Sequence, residues 1–180
     1  RLAELATAAC EGTLTVVKQI VDENGDVVDS TPGGWEFTAA AGAPVIRNNG
    51  ATVSELSQST PEDSGAVNFG IDFSEDQSPI AVTVTETQQA GFELVPFDSA
   101  NAQCSIDGQP VTVTNAGEYG FTVDVGPSDI VSCTVQNRET PSDITVDKEW
   151  VINGEDLSHA ERPAGWDAQL TLTGPGSQSG

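Results

Sequence analysis

A lysine, a glutamate and an asparagine each continue an otherwise apolar stripe on a predicted strand of this sequence. They are Lys18, Glu86 and Asn137, and the residues at the preceding alternate positions are apolar in all three cases. Because strand side chains alternate between two faces, all three residues are predicted to point into a core. Burying an unpaired charge costs several kcal/mol, so a lysine at such a position needs a partner or must lose its charge.

A covalent reaction is one outcome that fits this trio. Burial lowers the pKa of a lysine and raises that of a glutamate, so such a pair can exist as neutral amine and neutral acid. A neutral amine is a nucleophile, and the acid can polarise the Asn137 side-chain carbonyl and shuttle the proton. The product is an amide between Lys18 and Asn137, with ammonia released. This reaction occurs once per chain, so no enzyme that turns over a substrate is predicted.

A non-covalent arrangement fits the same pattern. Lys18 and Glu86 can form a buried ion pair, with Asn137 as a hydrogen-bond partner. Alternatively, the lysine stem can lie along the core while its ammonium reaches solvent at the sheet edge.

The elements that carry these residues are predicted to be short strands. Thr, Val, Ser and Gly are abundant in the 180 residues, Met is absent and aromatic residues make up 6%. Apolar and polar residues alternate repeatedly with turn signals between the runs, and no helical period of any length is present. Residues 41–64 are predicted to form long loops around a short strand. The pattern is typical of an all-β protein, a β-sandwich. Three further runs share apolar faces, namely Trp35/Phe37/Ala39, Val67/Phe69/Ile71/Phe73 and Phe121/Val123/Val125.

An internal repeat divides the chain. Residues 13–18 recur as residues 143–148, Trp35 has a counterpart in Trp166, and an Asn-Gly hairpin signal follows the lysine in both copies. The sequence therefore predicts tandem modules. Residues 1–12 are an N-terminal extension or the tail of an upstream module, 13–140 a complete module, and 142–180 the incomplete beginning of a second. Lys148 takes the place of Lys18 in this second module, and its partners are expected beyond residue 180.

Three cysteines are present, at positions 10, 104 and 133. Cys104 and Cys133 lie in separate strand-like runs, so they can pair as a disulfide or remain two buried thiols. Cys10 is then left over. The cysteine spacing matches no zinc pattern, and the single His159 cannot complete one, so neither a metal nor a cofactor is predicted.

Other chemical signals have simpler interpretations. Residues 22–26 superficially suggest a calcium loop, but their spacing favours a hairpin turn. His159 lies in a turn-like stretch, so a hydrolase triad is not expected. Trp35 and Trp166 are predicted to be core residues rather than ligand platforms, because they recur at one repeat position.

The charge of the chain excludes two classes of partner. Twenty-eight acidic residues against six basic ones give a net charge of −22. Such a surface repels nucleic acids and anionic membranes. No run of about 18 apolar residues occurs, so no membrane insertion is predicted.

Three segments together resemble a known family. Residues 14–18, residues 82–87 followed by Gly91-Phe92, and residues 133–137 resemble the prealbumin-like (transthyretin-like) modules of Gram-positive pilins and surface adhesins, including the B-repeats of collagen adhesins. The resemblance covers about residues 13–140 and the start of a second module from 142. Ala90 stands where that family often has a Pro before the Gly.

The resemblance implies a prealbumin-like β-sandwich with an intramolecular isopeptide bond. Lys18 would be the nucleophile, Glu86 the catalytic acid and Asn137 the acceptor. Some family members lack the bond, and a Cys104–Cys133 disulfide would then be an alternative cross-link.

The expected function is that of a structural stalk or spacer in a bacterial cell-surface adhesin or pilus-like fibre. Its location would be extracellular, either anchored to the cell wall or associated with a fibre. Neighbouring modules of the same protein are the expected partners. One alternative is an adhesin module that binds a host protein or glycan through residues 41–64. Another is a fibre subunit that self-assembles, with the second module completed by a neighbouring chain.

Overall fold

The computed structural model describes residues 11–73, 78–141, 145 and 148–166. Contacts divide the chain into two units, Arg1–Pro141 and Ser142–Gly180. The described residues form strands, turns and one three-residue 3₁₀ helix. The predicted all-β class is therefore confirmed, and the sheets are arranged as expected for a β-sandwich.

The first unit contains fourteen described strands. In chain order they are β1 (Glu11–Val21), β2 (Val27–Asp29), β3 (Glu36–Ala41), β4 (Ile46–Asn48), β5 (Ala51–Val53), β6 (Glu55–Ser59), β7 (Ala66–Asp72), β8 (Ile80–Glu86), β9 (Phe92–Val95), β10 (Gln103–Ile106), β11 (Gln109–Val111), β12 (Thr114–Asn115), β13 (Gly120–Val125) and β14 (Ile130–Glu139).

These strands form two sheets. The larger sheet has the order β11-β10-β14-β1-β7-β4-β5, with β2 also paired to β1 and β9 also paired to β14. The smaller sheet has the order β12-β13-β8-β3-β6. Strands β1 and β14 pair in parallel, whereas the other described pairings are antiparallel. The first and last strands of the unit therefore lie side by side.

The core lies between the inward faces of these sheets. Leu14 and Val16 from the larger sheet and Phe37, Val82 and Val84 from the smaller one are fully buried in a single apolar cluster. Burying each such side chain stabilises the fold by about 1.5–3 kcal/mol. Buried and less buried residues alternate along β1 as far as Ile20 and along β14, which follows from the two-residue period of a strand.

Residues 22–26 form the turn between β1 and β2, as the hairpin interpretation predicts. The Asp22 carboxylate accepts hydrogen bonds from the backbone N–H groups of Asn24 and Asp26, both at 2.9 Å. Gly25 has φ of +85°, a conformation that glycine adopts without steric cost. The Asp22 carboxylate therefore closes the turn.

Residues 41–64 are more regular than predicted. Instead of long loops around a short strand, they contain β4, β5 and β6. Asn49 and Gly50 both have positive φ and connect β4 to β5, while β6 pairs with β3. Alternation did not reveal these strands because they are short and carry polar residues on their exposed faces.

The Cys104–Cys133 disulfide is present, which settles the choice between a disulfide and two free thiols. The two cysteines lie directly opposite each other on antiparallel strands β10 and β14. Both are buried in the core. Cys10 lies outside the described residues.

The second unit contains strands β15 (Trp150–Ile152) and β16 (Glu155–Leu157), which form a hairpin. Asn153 and Gly154 connect them with φ of 55° and 83°, as the Asn-Gly signal predicts. The rings of Trp150 and Trp166 lie 6.2 Å apart. Trp166 is exposed by 49%, so its predicted core position is wrong, whereas the prediction for Trp35 is confirmed. Segment 142–144 and residues 146–147 lie outside the described residues.

The disulfide should contribute measurably to stability. Replacing Cys104 and Cys133 together by Ala removes a link across 29 residues. The free energy of unfolding should fall by about 3–4 kcal/mol, because the unfolded chain regains the entropy of that loop. Denaturant titration measures the change. Ser105 and Ser132 form the adjacent register pair on the same strands, so their double Ala variant is the control. Equal stability of the two double variants would contradict the prediction.

Candidate functional site

The structure brings together all three polar residues that continue the apolar stripes. Nζ of Lys18 lies 2.7 Å from Oε2 of Glu86, and Nδ2 of Asn137 lies 2.7 Å from Oε1 of the same carboxylate. Lys18 and Asn137 are fully buried, and Glu86 is 3% exposed. One carboxylate therefore joins an ammonium nitrogen to an amide nitrogen inside the core.

The register of the parallel strands places Lys18 near Asn137. On β1 and β14, Lys18 is opposite Val135 and Asn137 is opposite Ile20. The two residues are therefore diagonal neighbours on the inward face, and such neighbours are within reach of long side chains. Glu86 reaches them from β8 of the other sheet, so the site bridges the two sheets.

The backbone of Glu86 is held by the loop before β13. Its N–H donates to the carbonyl oxygen of Tyr119 at 2.9 Å. Asn101 is buried beside this loop, and its Nδ2 donates to the carbonyl oxygens of Gly117, Glu118 and Gly120. No sequence pattern identifies Asn101, because a polar residue outside the alternating strands gives no signal of burial.

Burial and charge act in opposite directions on the Lys18 ammonium. Loss of hydration lowers the pKa of Lys18, whereas the charge of Glu86 and its hydrogen bond raise it. Hydration loss is the larger effect, and the net result is a pKa of about 8 instead of 10.5. The ring centroid of Trp35 lies 4.1 Å from Nζ, a contact that favours the charged form. With a pKa of about 8, roughly a tenth of Lys18 is neutral at pH 7.

Trp35 is itself fixed by an aromatic neighbour. The ring of Phe92 meets it edge to face, with centroids 5.1 Å apart. Pairs of this geometry add about 0.5–1.5 kcal/mol to the burial of the rings. Trp35 thus forms an apolar wall beside the lysine, and Phe92 packs against that ring.

The amide of Asn137 is oriented by its nitrogen. Nδ2 donates to Oε1 of Glu86 and also to Oε1 of Gln88, the latter at 3.2 Å. The buried Oδ1 has no hydrogen-bond partner. Leaving such an acceptor unpaired costs about 1–3 kcal/mol. The covalent interpretation predicts that the acid polarises the carbonyl oxygen; in this structure the carboxylate contacts the amide nitrogen instead.

Gln88 was not identified from the sequence, although a signal for it exists. It lies two residues after Glu86 and therefore has the same parity as the inward stripe on β8. Strand β8 ends at Glu86, and the run of polar residues after it hides the alternation at position 88.

This arrangement permits two kinds of chemistry. It can remain a buried ion pair with a hydrogen-bonded amide, as in the non-covalent interpretation. It can also transfer a proton, because the Glu86 carboxylate contacts the nitrogen that must lose a proton and the nitrogen that must gain one. Attack of the Lys18 amine on Cγ of Asn137 requires this exchange.

The second lysine has a different environment. Lys148 precedes β15 and its side chain is exposed, so its predicted place on a buried strand face is wrong. Its Nζ donates to the carbonyl oxygen of Glu149 and lies 4.9 Å from the ring centroid of Trp150. The described contacts of Lys148 include neither a carboxylate nor a side-chain amide.

Comparison with protein-family models, curated proteins and solved structures finds no match for this chain. Within the described ranges, no group of three or more His, Cys, Asp and Glu side chains is placed to hold a metal ion. The same ranges contain no helix with the length and apolar character needed to cross a bilayer.

The pKa of Lys18 can be measured directly, since the sequence contains only two lysines. In an Asn137→Ala chain, where Lys18 has no acceptor, its ¹³Cε resonance should titrate near pH 8 because burial disfavours the ammonium. Adding Glu86→Gln should lower the midpoint further, since the Glu86 charge opposes the effect of burial. A Lys148→Arg chain assigns the resonances. A Lys18 midpoint near 10.5 in the folded chain would contradict the prediction.

Proposed function

We propose that residues 13–140 form a structural stalk or spacer module of a bacterial cell-surface adhesin or pilus-like fibre. In this proposal the module is stabilised by a self-formed isopeptide bond between Lys18 and Asn137. The observation that carries it is the Glu86 carboxylate, buried and 2.7 Å from both Nζ of Lys18 and Nδ2 of Asn137.

The proposed reaction conserves atoms and protons. Glu86 takes a proton from the Lys18 ammonium and leaves a neutral amine, which attacks Cγ of Asn137. A bond forms between Nζ and Cγ, and the bond between Cγ and Nδ2 breaks. Nδ2 leaves as ammonia. Two of its three hydrogens are its own, and Glu86 delivers the third, which came from Nζ. The remaining proton from Nζ stays on Glu86, so a neutral amide, a neutral carboxylic acid and free ammonia replace the ion pair, and no unpaired charge is left in the core.

Burial supports this reaction in two ways. It lowers the pKa of Lys18 to about 8, which supplies a neutral amine near neutral pH. The enclosed core also keeps water from competing for Cγ of Asn137. Since both reacting groups are held by strand pairing, the reaction avoids most of the entropic cost of bringing two molecules together.

The position of the proposed bond suits a module under tension. Strands β1 and β14 are the first and last of the unit, and they are adjacent and parallel. Force that enters before Lys18 and leaves after Asn137 would pass through one covalent bond. The residues between those two positions would then be shielded from extension.

An extracellular location is supported by two further features. The Cys104–Cys133 disulfide is typical of proteins that fold in oxidising compartments. The resemblance of residues 13–140 to pilin and adhesin modules supports a cell-wall or fibre context, with neighbouring modules as partners.

Intact mass tests the bond directly. The reduced wild-type chain should be lighter than its sequence mass by one ammonia, whereas Glu86→Ala, Lys18→Met and Asn137→Ala chains should have full mass. Glu93→Ala is the matched control, because Glu93 is a carboxylate paired with Arg138 on the exposed side of β14. Its chain should still lose ammonia.

Full mass in the wild-type chain would contradict the covalent reaction. Lys18 would then be a buried ion-pair partner. The ligand-binding alternative, through residues 41–64, would become the leading proposal.

Single-molecule extension tests the mechanical role. In the wild-type module, reducing agent should not change the extended length, because the disulfide lies inside the segment already closed by the Lys18–Asn137 bond. In Glu86→Ala, reducing agent should lengthen the chain by about 100 Å, since 29 residues extend by about 3.6 Å each. A wild-type module that lengthens on reduction would contradict the proposed force path.

A further inference from the structure

Gln88 makes two hydrogen bonds that fix its own orientation. Its Nε2 donates to the backbone carbonyl oxygen of Phe92 at 2.7 Å. A carbonyl oxygen can only accept, so the amide nitrogen must face Phe92 and the amide oxygen must face the other way. Oε1 of Gln88 is therefore directed at Asn137, where it accepts a hydrogen bond from Nδ2.

The orientation of the Gln88 amide in turn fixes the orientation of the Asn137 amide. Its side-chain amide meets two acceptors, Oε1 of Gln88 and Oε1 of Glu86. Only Nδ2, with its two hydrogens, can satisfy both. Rotating the Asn137 amide by half a turn would place Oδ1 against two oxygens, and rotating Gln88 to compensate would break its bond to Phe92. The backbone of β9 thus sets which atom of Asn137 faces Glu86.

We propose that Gln88 is a further catalytic residue of the bond-forming reaction, acting on the nitrogen that leaves. This inference rests on the proposed function. Before the reaction, Gln88 holds Nδ2 against the carboxylate that delivers the proton. As Nδ2 accepts that proton it becomes positively charged, and its hydrogen bond to Gln88 becomes charge-assisted and stronger. The residue therefore stabilises the step in which the bond between Cγ and Nδ2 breaks.

The same geometry accounts for an amide, rather than a carboxylate, at position 88. A Glu at this position would keep an acceptor for Nδ2 but lose the donor to Phe92. It would also add a negative charge near Lys18, which would favour the unreactive ammonium. A neutral side chain with one acceptor and one donor meets both requirements.

The test compares rates of ammonia loss after folding. Chain isolated in denaturant from insoluble material is refolded by dilution into a thiol–disulfide buffer, and samples are taken for intact mass. Gln88→Leu should lose ammonia about 10- to 100-fold more slowly than wild type, as expected from removing one hydrogen bond to a developing charge. Gln89→Leu is the matched control. It changes the same residue type at the next position, which is also half-buried, and should react at the wild-type rate.

Two readouts separate this role from a general effect on folding. Closure of the Cys104–Cys133 disulfide, followed in the same samples by non-reducing mass, should keep its wild-type rate in Gln88→Leu. The pH at half-maximal rate should also stay unchanged in Gln88→Leu, because no charge is altered. In Gln88→Glu that midpoint should move to higher pH.

The outcomes are distinguishable. If the wild-type chain keeps full mass, the bond itself is absent and both proposals fail. If wild type and Gln88→Leu lose ammonia at equal rates, the role of Gln88 is overturned while the bond stands. Slow disulfide closure in Gln88→Leu in parallel with slow ammonia loss would also overturn it, because the residue would then act only on folding.

Discussion

The Glu86 carboxylate is buried between the two sheets, away from water, at a position where an apolar side chain is usual. Its two oxygens accept hydrogen bonds from Lys18 and Asn137 of the opposite sheet, each at 2.7 Å. Replacing a buried ion pair by apolar residues is often neutral or stabilising, so stability alone does not explain this pair. The proposed reaction would explain it, because it converts the buried ammonium into a neutral amide.

The topology of the first unit brings distant parts of the chain to this carboxylate. The parallel pairing of β1 with β14 joins the first and last strands, and β8 of the other sheet presents Glu86 to them. Supporting contacts come from other segments of the chain. Asn101 holds the loop that accepts the Glu86 N–H, and Trp35, which packs against Phe92, covers the ammonium. The site therefore forms only when both sheets are assembled.

Strand β14 carries one cross-linked residue and one proposed cross-linking residue on its inward face. Cys133 is bonded to β10, and Asn137 lies two inward positions further along, beside Lys18 of β1. The disulfide closes a loop inside the segment that the proposed bond would enclose. The two links would thus serve different purposes. The disulfide restricts the unfolded chain, whereas the proposed bond connects the ends through which force would pass.

Strand faces were determined by the sequence alone. The two-residue period is local, so Lys18, Glu86 and Asn137 could be assigned to inward faces without knowing which strands are neighbours. The hairpin turns at Gly25 and Gly154 followed from equally local chemistry. The same parity argument failed for Lys148, because parity places a residue on a face only where a strand forms, and β15 begins two residues later.

Tertiary structure decided everything that depends on pairing between distant segments. It joined Cys104 to Cys133, folded residues 41–64 into β4, β5 and β6, and placed Glu86 across the core from the other two polar residues. It also determined that Nδ2 rather than Oδ1 of Asn137 faces the carboxylate, through Gln88 and the backbone of Phe92. Alternation records which side of a strand a residue occupies. It carries no information about which atoms of another strand will meet it.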